Sequence, residues 1–336
     1  MWFIIIRQAL NLIGSFFVLT LFTFGLTYLF PQGSSFIVDP QLSSELMISS
    51  TVNQASEANF FIDYYQYVTQ ILDGNFGLSS VRGSPVFSEF WTYFPATIEL
   101  SMGALLFALG FGMPLGIVAA KLKNQWQDKL IVSSTLVGFS MPIFWWAMLL
   151  VLLFSLWLGI TPVASRLGFE FDIQPVTGFM LIDTLLSPQT YNVEAFYDAV
   201  HHLILPSVVL GTIPLAVFTR TTRSAMVSEL SKDYIQSAKA RGISQNLVVW
   251  KHALRNAIIP ILTVLGLQVS VLITGSLITE TIFSWPGVGK WMLEAVYRRD
   301  FPVIHGGILA IASFVIVIHL LIDLMSLYFD PKKRTL

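Results

Sequence analysis

Three carboxylates stand in or beside long apolar runs of this chain: Glu99, Glu280 and Asp323. A charge at the centre of a membrane helix costs roughly 2.5–3.5 kcal/mol on insertion scales, so such residues usually face a cavity or a partner. Glu99 and Glu280 are therefore candidates for lining a pathway and attracting a cationic solute. The plainer alternative is interfacial placement, with hydrogen bonds to local backbone. Gly289-Lys290 invites a phosphate-loop reading. That motif needs Gly-x-x-x-x-Gly-Lys-Ser/Thr, whereas Ser284 holds its first glycine position and Trp291 follows the lysine. The paired His201-His202 diverges by about 100° on a helix, with no third ligand at a recognised spacing, so no metal site is read. With no cysteine, neither a disulfide nor a thiolate site is available. Neither paired membrane aspartates nor a His-Glu-x-x-His run is present, so no catalytic residue is assigned and an intramembrane protease is disfavoured.

These residues sit in a chain that is 54% hydrophobic and 12% charged, with mean hydropathy +0.70. That composition excludes an ordinary soluble domain and indicates an all-α polytopic membrane protein. A formal net charge of −1 gives no reason to expect a nucleic-acid partner. About 20 apolar residues are needed to cross the hydrocarbon core. Six runs qualify, at Phe3–Leu29, Ala96–Ala120, Leu130–Leu158, Leu203–Phe218, Ile258–Thr279 and Ile308–Phe329. The first is too long for a signal-peptide core and is read as retained. Six spans put both termini on one side. Of the 19 basic residues, 14 fall on that side if it carries Arg7, the 121–129 loop, the 220–256 region and Lys332-Lys333-Arg334, so both termini are expected in the cytoplasm.

The expected organisation is a first helix over 1–30, an external segment over 31–95, a five-helix core over 96–329 and a cytoplasmic tail over 330–336. Within the core lie external loops at 159–202 and 281–304 and a cytoplasmic loop at 224–257. The segments 31–95 and 159–202 are acidic, opposed only by Arg82 and Arg166 respectively. Such loops favour a cationic solute or a basic partner face, although depletion of Lys and Arg outside the cell yields the same pattern.

The polar, basic stretch from Ser231 to Pro260 is the most informative insert. Ser231 is placed to cap a helix over 232–241, and Gly242 to stop it in the left-handed conformation. Ser244 is placed to cap a second helix, in which Leu247, Trp250, Leu254 and Ile258 recur at helical spacing. Small residues at Ala238 and Ala240 would let a partner's groove approach the backbone of the first helix.

Ala238, Ala240 and Gly242, followed by Lys251-His252, Leu254-Arg255-Asn256-Ala257 and Pro260, resemble the signature loop of binding-protein-dependent ABC importer permeases, in their dipeptide/oligopeptide branch. Asp73–Gly77 with Pro85-Val86, Phe94–Leu100 running on to Gly112–Gly116, and Thr279–Gly289 resemble other stretches of that family. Thr161–Val163 and Pro175–Asp183 look most like its Sap subgroup, which is linked to antimicrobial peptides and putrescine.

The resemblance implies a type I importer permease fold and a subunit that hydrolyses nothing. It would pair with a homologous second permease and two ATPase subunits that bind ATP and Mg, with a periplasmic solute-binding protein docking outside the inner membrane of a bacterium. Tyr234, Ala238, Ala240, Arg241, Gly242, His252, Arg255 and Asn256 would couple to the ATPase. The cargo would be peptides, cationic antimicrobial ones among them, or a polyamine. The competing reading is an ATP-independent secondary transporter or channel for a cationic solute, which usually shows inverted repeats that this sequence lacks.

Overall fold

A computed structural model describes residues 2–29 and 60–329. Residues 31–59 of the expected external segment over 31–95, and the tail over 330–336, lie outside them. The described residues form helices joined by turns and loops, with a single isolated bridge between Leu78 and Pro85. Among the described residues four helices are long and apolar enough to cross a membrane alone, and a bent pair makes a fifth if it is counted as one span.

In chain order the helices are α1 (Trp2–Leu29), α2 (Phe60–Leu72), α3 (Val86–Lys121), α4 (Trp126–Ser140) and α5 (Ile143–Trp157). There follow α6 (Met180–Leu186), α7 (Asn192–Leu230), α8 (Asp233–Ala240), α9 (Gln245–Ile282), α10 (Val288–Arg298) and α11 (Phe301–Phe329). Several boundaries depart from the expected ones. The second span starts at Val86 rather than Ala96 and carries Pro95 inside the helix. The third is not continuous: α4 and α5 meet at 105°. Pro142 lacks a backbone N–H, and Met141 before it is extended (φ −80°, ψ 136°), so no helix passes through. The fourth run, expected over Leu203–Phe218, lies inside a 39-residue helix that includes His201 and His202. At 1.5 Å per residue that is roughly 58 Å, well beyond the hydrocarbon core.

The chain divides into two compact units, 1–94 with 291–317 and 95–290 with 318–336. In the first, α1 and α2 are pinned by paired hydroxyls: Thr20 Oγ1 to Tyr64 Oη and Tyr67 Oη to Thr23 Oγ1, each at 2.8 Å. The Asp73–Gly77 motif is a local turn. Asn75 Oδ1 accepts the Gly77 N–H at 3.1 Å, and Gly74 and Gly77 take φ of 80° and 88°, values that only glycine adopts readily. Asp300 ties the next turn, accepting from Ser79 Oγ at 2.5 Å and Ser80 N–H at 3.0 Å. Glu89 accepts from Arg82 Nη1 at 2.8 Å and from Trp291 Nε1 at 2.6 Å.

The second unit is organised on α7, which packs most extensively against α9. Its core joins Ala96, Leu100, Ala104 and Ala108 of α3 with Leu210 and Phe218 of α7, Ile261 and Leu272 of α9, and Trp285. Glycines let backbones meet: a Cβ at Gly112 would lie 2.9 Å from Leu215 O, and one at Gly116 would lie 2.6 Å from Thr219 O. The Gly112–Gly116 spacing on α3 is thus the place where α3 crosses α7.

Candidate functional site

The polar insert is built from three pieces: the end of α7, the short helix α8 and the start of α9. Helix α8 is one residue shorter at each end than expected. Ser231 does not cap it. Because α7 runs on to Leu230, Ser231 is the C-cap of that helix, and its Oγ donates to Ser228 O at 2.8 Å. Gly242 does stop α8, at φ 79°, with Ile243 N–H donating back to Ala238 O at 3.3 Å. That is the hydrogen-bond pattern of a glycine-terminated helix. Ser244 precedes α9 without a side-chain cap, and α9 begins with a π-helical stretch, Val248–Ala253.

Ala238 does not face outward. It is 3% exposed and packs with Ile235, Ile117, Ala120, Met226, Val248, Val249 and Ala253. Its small side chain lets α8 lie close to the chain's own α3, α7 and α9. Ala240, Arg241 and Gly242 are exposed, with Asp233, Gln236 and Ser237 beside them. His252 is half-buried, while Arg255 and Asn256 are exposed. Leu247 and Trp250, 47% and 55% exposed, continue an open apolar surface rather than packing inward.

Tyr234 and Asn256 belong to a network whose acid, Glu229, lies outside the signature motif. Tyr234 Oη donates to Glu229 Oε2 at 2.8 Å and accepts from Asn256 Nδ2 at 2.9 Å. Lys232 Nζ donates to Glu229 Oε1 at 2.5 Å. Burial holds the Tyr234 hydroxyl above the ordinary tyrosine range. The hydrogen bond to Glu229 raises the Lys232 ammonium likewise. One hydroxyl therefore ties α8 to the end of α7 and to α9. Nearby, Arg223 of α7 grips Asp128 of α4 through two bonds, Nε to Oδ1 at 2.5 Å and Nη2 to Oδ2 at 2.7 Å. This fork geometry is the strong form of an ion pair.

At the other end of the unit, the two acids read as pathway candidates have internal partners. Glu280 is fully buried. Its Oε1 accepts from Thr97 Oγ1 and Ser276 Oγ, each at 2.7 Å, and its Oε2 accepts from Lys290 N–H at 2.9 Å. The glycines of the Gly-x-Gly-Lys run are explained here: a Cβ at Gly287 would overlap the Glu280 carboxyl, and one at Gly289 would come 2.9 Å from it. The run that imitates a phosphate loop cradles a carboxylate of its own chain, at the start of α10, where backbone N–H groups favour an anion.

Glu99, 7% exposed, accepts from Arg166 Nη2 at 2.5 Å and from Leu181 N–H at 2.9 Å. Arg166 also lies 5.5 Å from the Trp285 ring, and Trp285 Nε1 donates to Ala96 O at 2.8 Å. Neither carboxylate has an open face toward a solute in this conformation. Asp183 holds the turn before α6, accepting from Thr177 N–H, Thr177 Oγ1 and Gly178 N–H at 2.7, 2.7 and 2.9 Å. His201 Nε2 lies 2.6 Å from Ile160 O, and among the described residues no group of three or more His, Cys, Asp or Glu side chains is arranged to hold a metal. The side chain of Asp323, on α11, lies outside the described residues.

The site is a glycine-stopped helix seated against membrane helices of an all-helical polytopic membrane protein. Residues 112–335 match the binding-protein-dependent transport system inner membrane component family, and the chain belongs to it. Members are non-catalytic membrane subunits. The chain is 47% identical over 336 residues to the di/tripeptide transport system permease protein DppB of Pseudomonas aeruginosa, covering 98% of each. To the dipeptide transport system permease protein DppB of Escherichia coli K12 it is 41% identical over 339 residues, again covering 98% of each. To the putrescine export system permease protein SapB of the same strain it is 34% identical over 329 residues, covering 98% of this chain and 96% of that one. The likeness is thus to peptide permeases, and the narrower Sap resemblance read from residues 161–163 and 175–183 is the weaker part of it.

Proposed function

We propose that this chain is one of two homologous permease subunits of an ATP-driven transporter of small peptides, with both termini in the cytoplasm. Two ATPase subunits, which bind ATP and Mg, engage the exposed face of α8, and a periplasmic solute-binding protein delivers cargo from the opposite side. The observation that carries this reading is the seating of α8: one face is locked into its own chain through Ile235, Ala238 and Tyr234, and the other is left bare. A helix held in that way moves with α7 and α9. An ATPase that draws it sideways therefore biases the whole unit between two conformations, through contacts that differ between them. Dipeptide cargo is supported by the names of the most similar relatives. A polyamine fits less well, because Glu99 and Glu280 are occupied by Arg166, Thr97, Ser276 and backbone N–H groups.

Two substitutions two residues apart separate docking from folding. Ala240→Glu is expected to leave the permease pair intact while lowering recovery of the ATPase subunits on co-purification at least severalfold. Ala238→Glu forces a charge into an apolar cluster, which costs several kcal/mol, and is expected to reduce recovery of the permease itself. Loss of ATPase subunits from neither variant, or a reversed pattern, contradicts the proposed surface. A permease that moves solute in liposomes without ATPase subunits overturns the function.

Tyr234→Phe removes two hydrogen bonds while keeping the ring. At about 1 kcal/mol net for each bond, the anchoring of α8 weakens roughly thirtyfold. The complex is expected to keep hydrolysing ATP while moving less peptide per ATP. An unchanged ratio of peptide moved to ATP hydrolysed shows that the network does not transmit the motion.

A further inference from the structure

The face of α7 above the polar insert carries Arg220, Ser224 and Ser228, all exposed and four residues apart, so they form one stripe along the helix. With Thr221 of α7 and Pro260 of α9 they line an open groove of about 440 Å³, within the range of small-ligand sites. Three neighbouring polar groups on α7 are otherwise occupied, whereas the Thr222 hydroxyl is buried without a partner among the described residues. Thr212 and Thr219 donate to carbonyls one turn back, at 2.7 and 2.8 Å, and Arg223 is committed to Asp128. Among the described residues, no acceptor takes a hydrogen bond from Arg220, Thr221, Ser224 or Ser228, and no carboxylate pairs with Arg220. The Arg220 guanidinium instead lies 5.4 Å from the Phe139 ring, which holds it from one side and leaves its N–H edge open. Every group in the stripe can donate a hydrogen bond. What suits them is water or an anionic acceptor, and a planar guanidinium favours a carboxylate.

Building on the peptide reading above, we propose that this groove is a transit site for the carboxylate end of the transported peptide, gripped by Arg220 and supported by the Ser224 and Ser228 hydroxyls. An interfacial arginine paired with a lipid phosphate is the competing source of the same anion. The test uses the complete complex in proteoliposomes, supplied with a dipeptide and with the same dipeptide as its C-terminal amide. Arg220→Gln is expected to lower transport of the free acid by about tenfold, the size of one charged hydrogen bond, and to leave the amide nearly unchanged. Arg220→Lys should restore a substantial part, and Ser224→Ala with Ser228→Ala should weaken the free acid in the same direction. Equal slowing of both peptides by Arg220→Gln overturns the assignment, as does an effect that vanishes when anionic lipid is omitted. A wild-type complex that moves neither peptide overturns the peptide reading itself, and this site with it.

Discussion

Arg166→Ala is expected to destabilise the assembled protein by about 3–5 kcal/mol, because it leaves Glu99 buried beside a single remaining donor. In the native arrangement Glu99 is 5% exposed at its side chain and Arg166 10%. The guanidinium joins Glu99 to Gly178 O, at 2.5 and 3.1 Å, and lies over Trp285. Removing it strips the carboxylate of its counter-charge and the loop of its anchor to α3, leaving only Leu181 N–H on Glu99. Pairing it with Glu99→Gln should recover part of the loss, since a buried pair removed from both sides costs less than one broken from one side. Thermal unfolding of the purified complex across the two single variants and the double measures the coupling directly. Additive losses would show that the pair is not interacting. Preference for cationic over neutral solutes should be unaffected in Glu99→Gln, and a change there would return Glu99 to the pathway.

Gly116→Leu is expected to abolish recovery of folded permease. A Cβ at this position would sit 2.6 Å from Thr219 O, 2.6 Å from Thr222 Cβ and 3.1 Å from Arg223 N, and two of those three are backbone atoms of α7. Backbone has no alternative rotamer, so the helices must separate, and overpacking of this kind costs roughly 1–3 kcal/mol or more. The separation would also pull Arg223 from Asp128 and open the cluster under α8. Close approach through small residues is a principal source of helix association in lipid, where water does not drive apolar surfaces together. Gly110→Leu is the matched control. It lies on the same helix, where an added Cβ would meet nothing within 4 Å, and leucine is the better helix former by about 1 kcal/mol. Wild-type recovery for Gly110→Leu beside loss for Gly116→Leu is the expected pair, and equal yields would refute the crossing.

The features legible in the chain are local ones. The stop at Gly242 needs only a residue that tolerates positive φ after a helical run. The absence of a phosphate loop follows from the identities of Ser284 and Trp291. The break in the third span is also written locally, in Met141-Pro142, but continuous hydrophobicity on either side masks it. Hydropathy reports only that a segment is apolar, not that its axis is straight.

The remaining features depend on residues far apart in the chain. Helix α8 has small residues on both faces, so its own sequence cannot say whether Ala238 or Ala240 turns inward. That choice is made by Ile117, Ala120 and Met226, which offer an apolar seat on one side only. The acids show the same dependence: Glu99 meets an arginine 67 residues away, and Glu280 meets a threonine 183 residues away. By itself the sequence determined a polytopic membrane protein with a helix stop at Gly242, because crossing a bilayer and stopping a helix are constraints on consecutive residues, and the motifs it shares with a family supplied the class. Only the tertiary structure decided which partners the buried acids meet, which face of α8 is free and which arginine, among the described residues, stands over a groove with no carboxylate beside it. Each of those depends on which donor, acceptor or apolar surface folding brings to the other side.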